Sequence, residues 1–318
     1  MASAARSDSS IPLDPPRRLV RAMEVPGTGT EGAGGAGREW LEALPGLVRD
    51  TLERWELTAE RVQTPGGRSS LLVLVRRADD TPAALKLVAP GAGAALKRAA
   101  LAHWDGWGAV QLLDSDPGTG ALLQERLHSE ISLSSLPDAK ALLEAAGTVR
   151  RLWVAPGEGH PFPSMADRTG RMARDLRAAA AEPWAAEIAP LAEQALAARD
   201  ELVATAPEAV LLHGRFRQGK VLSADRTPWL AIGPEPLVGE RAYDLAPLVR
   251  DRLEDLVAAP GGAAASRRRL AKLAESLEVD RDRLRGWTLF RAVDAGLRSL
   301  SAGRTQEGEL LLEFAGWL

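Results

Sequence analysis

VLLHGRFRQGKVLSADRTPWLAIGPEPLVGERAYDLAPL, Val210–Leu248, decides the fold. It reads as strand, loop, hairpin, loop. Val210, Leu211 and Leu212 are an apolar run halted at His213-Gly214. Val221-Leu222 and Trp229–Ile232 are short apolar strands, and Ser223–Pro228 between them supplies turn chemistry. A tight hairpin brings the loops at its two ends close together. The first loop has the frame His213, Gly214, Arg215, four residues, Lys220.

Protein kinases write their catalytic loop as H-R-D-x-x-x-x-N. The spacing here is the same, with Arg215 and Lys220 where that pattern has Asp and Asn. The stretch as a whole resembles the aminoglycoside phosphotransferase family, and most its streptomycin 6-phosphotransferase branch. In that family the loop is typically HGDLHxGNVL, followed by a WLAIDPKPLVG-type segment; here they read HGRFRQGKVL and WLAIGPEPLVG. The resemblance puts the family's general-base Asp at Arg215, its loop His at Arg217 and its metal-binding Asn at Lys220. It puts the second metal-binding Asp at Gly233 and a nearby Lys at Glu235. Trp229, Pro236, Gly239 and Tyr243–Ala246 are retained. The fold implied is α+β: a two-lobed protein kinase-like fold with a small antiparallel-sheet N-lobe and a mostly helical C-lobe.

Phosphoryl transfer in such a fold is positioning plus charge neutralisation. One Asp takes the acceptor's proton, and oxygen ligands hold Mg²⁺. A guanidinium stays protonated, so Arg215 is no base, and neither Lys220 nor Gly233 offers a side-chain oxygen. A missing general base costs about 10²–10⁴ in rate. No catalytic residue is therefore intact, with Arg215, Arg217, Lys220 and Gly233 the degenerate positions. The expectation is a pseudokinase that binds, regulates or assists rather than transfers phosphate, with a protein partner or small-molecule ligand. Two alternatives stand beside it: a repurposed enzyme running a non-kinase reaction on a small molecule, and an active aminoglycoside-resistance phosphotransferase. No Mg-ATP and no metal site are expected, a metal-free nucleotide or anion remaining open. The cations need a counter-charge. In one reading Glu235 pairs with Arg215 or Lys220, so the charges are exchanged as a set. In the other, the cluster takes up an anion. His213 and Asp244 are read as structural, holding the loop.

The chain has 318 residues, 45% of them hydrophobic, which suffices for a sizeable core. A net charge of −3 gives no reason to expect nucleic acid or an anionic membrane. There are no cysteines, which excludes thiolate chemistry and fits a reducing cytoplasm. No apolar run approaches a membrane span of about 20 residues. The scarcity of Lys beside Ala, Gly and Arg points to a high-GC bacterial source.

Residues 1–37, rich in Ser, Pro and Gly, read as a disordered tail. Residues 38–127 read as the N-lobe with a leading helix, interrupted or kinked at Pro45, and 128–318 as the C-lobe. Gly66-Gly67 lie where a Gly-rich nucleotide loop would be. Lys86 ends an A-A-L-K-L strand, the place of the kinase lysine that pairs the α/β-phosphates. With Arg215 and Lys220 these make up the nucleotide- or anion-binding candidates. The next helix offers Lys97 and Arg98 where the family would place the lysine's acidic partner.

Overall fold

The structure, a computed structural model, describes residues 11–24 and 35–318. The chain divides into two compact units. One comprises residues up to Gly106 with Val110–Leu127; the other comprises Trp107–Ala109 and His128–Leu318.

The first unit contains α1 (Arg17–Glu24), α2 (Gly35–Arg54), β1 (Thr58–Val62), β2 (Ser70–Arg76), β3 (Pro82–Val88), α3 (Ala94–Trp104), β4 (Leu112–Asp116) and β5 (Ala121–Glu125). Its sheet runs β1-β2-β3-β5-β4, antiparallel throughout. Successive strand side chains point to opposite faces. Leu71, Val73 and Val75 of β2 and Leu85 and Leu87 of β3 thus enter one core, which Trp40, Leu44 and Val48 of α2 share. Those α2 residues recur at four, the spacing of one helix face. The helix stays continuous through Pro45, so of the interruption or kink expected there the interruption does not occur. Tertiary packing of the apolar face holds it together.

Part of the stretch expected to be a disordered tail is helical. Arg17–Glu24 form α1, whose Leu19 and Met23 are buried in the same core. A Cβ on Gly37 would come within 3.2 Å of the Met23 carbonyl, so the glycine lets α1 lie close against α2. One short apolar face among polar residues gave no signal of its own; burial against α2 decides it. The rest of the expected tail, residues 1–10 and 25–34, lies outside the described residues.

The second unit opens with β6 (His128–Ser132), α4 (Asp138–Leu152), α5 (Met165–Ala180) and α6 (Ala189–Ala204). Then come β7 (Val210–Leu212), β8 (Val221–Ser223), β9 (Trp229–Ala231) and β10 (Leu237–Gly239), and the helices α7 (Arg241–Val249), α8 (Leu253–Ala258), α9 (Gly262–Ser276), α10 (Arg281–Ser301) and α11 (Thr305–Ala315). The expected hairpin is β8–β9, paired Val221↔Ala231, Leu222↔Leu230 and Ser223↔Trp229. β6 joins β8, and β7 pairs antiparallel with β10. These three-residue strands position the loop, and their pairing does the work that length does not. α10 runs through the helical core, with Trp287, Phe290 and Val293 fully buried.

The helical stretch after β10 breaks into α7 and α8 at Arg252, which is left-handed (φ 59°). The Arg252 guanidinium donates to the Ser134 carbonyl at 3.1 Å, the Leu136 carbonyl at 2.5 Å and Gln218 Oε1 at 3.0 Å. Among the described residues no helix is long and apolar enough to cross a membrane.

Candidate active site at the loop between β7 and β8

His213–Lys220 leave β7 and enter β8 through one turn of 3-10 helix, Gln218–Lys220. The loop is held from behind by backbone bonds. Asp244, in the first turn of α7 and fully buried, accepts from the backbone N–H of His213 (2.9 Å) and of Gly214 (2.8 Å), and from Trp153 Nε1 (3.4 Å). Burial pushes its carboxyl up, against the pull of those donors and of the Arg291 cation. Arg291, from α10, donates to the carbonyls of Gly214 (3.2 Å) and Tyr243 (3.1 Å), with its guanidinium 4.4 Å from the Tyr243 ring centroid. The Gly214 peptide is therefore fixed at both N–H and C=O.

Gly214 has no room for a side chain. Its φ is +76°, and a Cβ there would lie 2.0 Å from the Glu235 carbonyl oxygen. Glu235 N–H in turn donates to the His213 carbonyl at 2.9 Å. His213 is wholly buried, edge-on to Phe216, their ring centroids 5.6 Å apart. Its Nδ1 accepts from Arg215 N–H (3.3 Å), which assigns the ring proton to Nε2, facing the Ile232 carbonyl at 3.1 Å. Burial, reinforced by the Lys220 and Arg215 cations, lowers His213 to about 3, so the ring is neutral.

At the front of the loop Arg215 Nη1 donates to Glu235 Oε1 at 2.6 Å, and Arg168 Nη2 from α5 donates to Oε2 at 2.5 Å. Burial would raise the Glu235 carboxyl; the two guanidiniums outweigh it and hold the group well below the usual carboxylate range. Lys220 and Gly233 stand on adjoining backbone, since Ile232 N–H donates to the Lys220 carbonyl at 2.8 Å. Gly233 is left-handed, φ +60°. At the loop's far end Gln218 N–H donates to Asp251 Oδ2 at 2.6 Å. Burial raises Asp251 to about 6 despite that bond and the Arg217, Arg269 and Arg250 cations.

The structure thus brings Arg215, Lys220, Gly233 and Glu235 to one loop system, with His213 and Asp244 behind it. Arg217 lies on the same loop and is exposed. Lys86, Gly66 and Gly67 belong to the other unit. Lys86 sits on β3 opposite Leu72 and Leu122. Gly66 (φ +69°) is in the β1–β2 turn, where a Cβ would come within 2.9 Å of the Pro16 ring. Lys97 donates to the Ala92 carbonyl. Arg168 and Arg291 were not singled out from the sequence. Arg168 lies on α5 with no motif around it to mark it, and Asp251 sits, half-buried, in the break between α7 and α8. Arg291 did leave a trace, a charged residue among the core-facing positions of α10.

The donor set does not fit a divalent magnesium ion. Lys220 and Gly233 bring no side-chain oxygen and Arg215 brings a cation. Glu235 already accepts from two guanidiniums. Among the described residues no group of three or more His, Cys, Asp or Glu could hold a metal ion.

A family model described as "Aminoglycoside/hydroxyurea antibiotic resistance kinase" matches residues 54–303. A streptomycin 6-kinase from Streptomyces glaucescens is 38% identical, covering 85% of this chain and 87% of that protein. A hydroxyurea phosphotransferase from Kitasatospora aureofaciens is 37% identical, covering 90% and 83%. Among solved structures, an aminoglycoside phosphotransferase in ternary complex with ADP and hygromycin B superposes with TM-score 0.59 at 15% identity, covering 84% of this chain and 96% of that one. The choline kinase of Streptococcus pneumoniae gives 0.59 at 10%, covering 86% and 99%. These likenesses establish the kinase-like fold.

They also correct two expectations. The pseudokinase reading, and with it the expectation that Mg-ATP is dispensed with, is overturned by relatives at 35–38% identity that are named as streptomycin kinases and as a phosphotransferase. Phosphoryl transfer runs through a loose transition state in which positioning and neutralisation of the phosphoryl charge dominate, and arginine is an effective neutralising group. With a model match that spans most of its length and relatives named for the same chemistry, this chain belongs to the aminoglycoside/hydroxyurea antibiotic resistance kinase family.

Proposed function

We propose that the chain transfers the γ-phosphoryl group of ATP to a hydroxyl of a small polar molecule, of the aminoglycoside or hydroxyurea kind for which its relatives are named. The observation that carries this is kinship: 38% identity to a streptomycin 6-kinase over 85% of the chain, with the loop framework of His213, Gly214 and Asp244 kept. The acceptor oxygen forms the new P–O bond, and the β–γ bridging oxygen leaves with the old bond's electron pair in ADP. The acceptor's proton passes to water, because Arg215 at the family's base position holds no acceptor lone pair.

The chain's own residues bind and orient. Asp244 and Arg291 fix the Gly214 peptide; neutral His213 fixes Arg215's backbone. Arg215 and Arg168 supply positive charge beside the loop, the kind of group that stabilises a phosphoryl transition state. The magnesium that related kinases use is not assigned a place here, for the reason of donor chemistry given above. A cytoplasmic location, where ATP is plentiful, goes with this reading.

The test is direct. Purified protein is incubated with ATP, Mg²⁺ and either streptomycin or hydroxyurea, and the acceptor is followed by mass spectrometry alongside ADP release. The expected result is a mono-phosphorylated acceptor formed in step with ADP. ATP left intact with both these and a wider panel of hydroxylated acceptors would overturn the reading.

A further inference from the structure

We propose that the first unit carries a second, non-catalytic binding site, a cleft at the end of α2 that takes a small organic amine with an apolar body. The site is independent of the kinase reading. The cleft has a volume of about 290 Å³ and lies between the end of α2, the β2–β3 turn and the β4–β5 pair. That is close to the low end of the range in which small-molecule sites occur, about 300 Å³.

Its position follows from strand register. Leu123 of β5 pairs with Leu85 of β3 and belongs to the core that α2 covers. Successive strand residues point to opposite faces, so Lys86 stands on the other face. The cleft, which Leu123 lines, is therefore on the side of the sheet away from Lys86. On β4 the pairing shifts between Leu112 and Asp114, and Asp114 comes opposite Leu123. Residues directly opposite share a face, so this bulge aims Asp114 at the cleft. Leu113 is left 38% exposed beside it.

The lining divides by chemistry. Trp55, Leu113 and Leu123 supply the apolar wall. Arg54 gives Nη1 to Asp116 at 2.5 Å, and Arg77 lies 3.8 Å from Asp79, so each of these cations has an acid of its own. Glu56 and Asp114 have no such partner. Among the described residues the Glu56 carboxylate takes no hydrogen bond and no ion pair, and Asp114 accepts only from the adjacent Ser115 N–H at 2.7 Å. Glu56 holds a left-handed backbone, φ 52°, just past the end of α2, where glycine is the usual residue. Two uncompensated carboxylates beside an indole select an ammonium: it pairs with the acids and is drawn to the ring face, while its apolar body covers Leu113.

The probe is phenethylamine, set against phenethyl alcohol and phenylacetate, which keep the body and change the head group from cation to neutral to anion. Binding is measured by calorimetry on the full chain without nucleotide, and ADP release is followed separately. The expected result is saturable binding of the amine, at least about fivefold tighter than that of the alcohol, and no binding of phenylacetate. Glu56→Gln and Asp114→Asn each weaken the amine by about threefold and together by about tenfold. Asp175→Asn, at an exposed acid on α5, binds as the wild type. Equal binding of amine and alcohol, no saturable binding of the amine, or unchanged binding in the double variant overturns the assignment. The kinase reading stands or falls on ADP release alone, since none of these residues belongs to the loop between β7 and β8.

Discussion

Glu235 accepts from Arg215 at 2.6 Å and, through its other oxygen, from Arg168 at 2.5 Å, so one carboxylate joins the loop after β7 to helix α5. Where the family pattern has an acid at 215 and a lysine at 235, this chain has a base and an acid. The attraction between the two positions survives with its direction reversed.

Glu235→Gln leaves Arg168 and Arg215 facing each other without a counter-charge. Breaking a well-buried pair from one side costs about 3–5 kcal/mol. These groups are partly exposed, so a loss of about 1–3 kcal/mol is expected. Arg215→Gln is expected to cost less, because Arg168 still satisfies Glu235. Thermal unfolding of the two variants checks the order; an equal or reversed loss would show that the shared carboxylate is not what ties loop to helix.

Gly214→Ala tests the tightest approach in the site. A Cβ would lie 2.0 Å from the Glu235 carbonyl oxygen, on a residue whose φ is already +76°. Either the backbone of 235 moves or the loop does. A destabilisation above about 3 kcal/mol is expected, from the clash and the left-handed strain together. Urea unfolding that shows a change of only a few tenths would mean that the loop yields freely.

Much of this was legible in the sequence because it rests on patterns with a period or a fixed spacing. The β2 and β3 strands are short apolar runs, α10 repeats its apolar residues at three and four, and the His213-to-Lys220 frame keeps a kinase spacing. What escaped has no such period. β10 is three residues long and exists because it pairs with β7. α1 is a helix because Leu19 and Met23 find α2. Arg168 and Arg291 come from helices distant in sequence, and their roles appear only when Glu235 and Gly214 are placed beside them. The functional conclusion drawn from the loop alone went astray as well.

Asp244→Ala removes the acceptor for two backbone N–H groups and for Trp153. Each buried donor left unpaired costs about 1–3 kcal/mol, so the variant is expected to lose several kcal/mol or to fail to fold. The amide protons of His213 and Gly214 give a finer measure. In the wild type they should exchange slowly with solvent, near the rate for global unfolding. Fast exchange at both would mean that Asp244 does not hold the loop.

Asp251 makes a prediction about pH. Burial raises its pKa from 3.8 to about 6, although Gln218 N–H donates to it at 2.6 Å. Between those two values the unfolded chain has given up the proton while the folded chain keeps it, so this group's contribution to stability falls as pH rises through the window and is flat above it. Glu235 acts in the opposite sense: its pKa is depressed, and the stability it gives is lost on acidification. The two are separated by subtraction. The difference in unfolding free energy between wild type and Asp251→Asn should grow in the wild type's favour as pH falls from about 6 toward 3.8, since the asparagine cannot titrate. A difference that is constant across that range would place the Asp251 titration elsewhere and release the Gln218 end of the loop from any dependence on it.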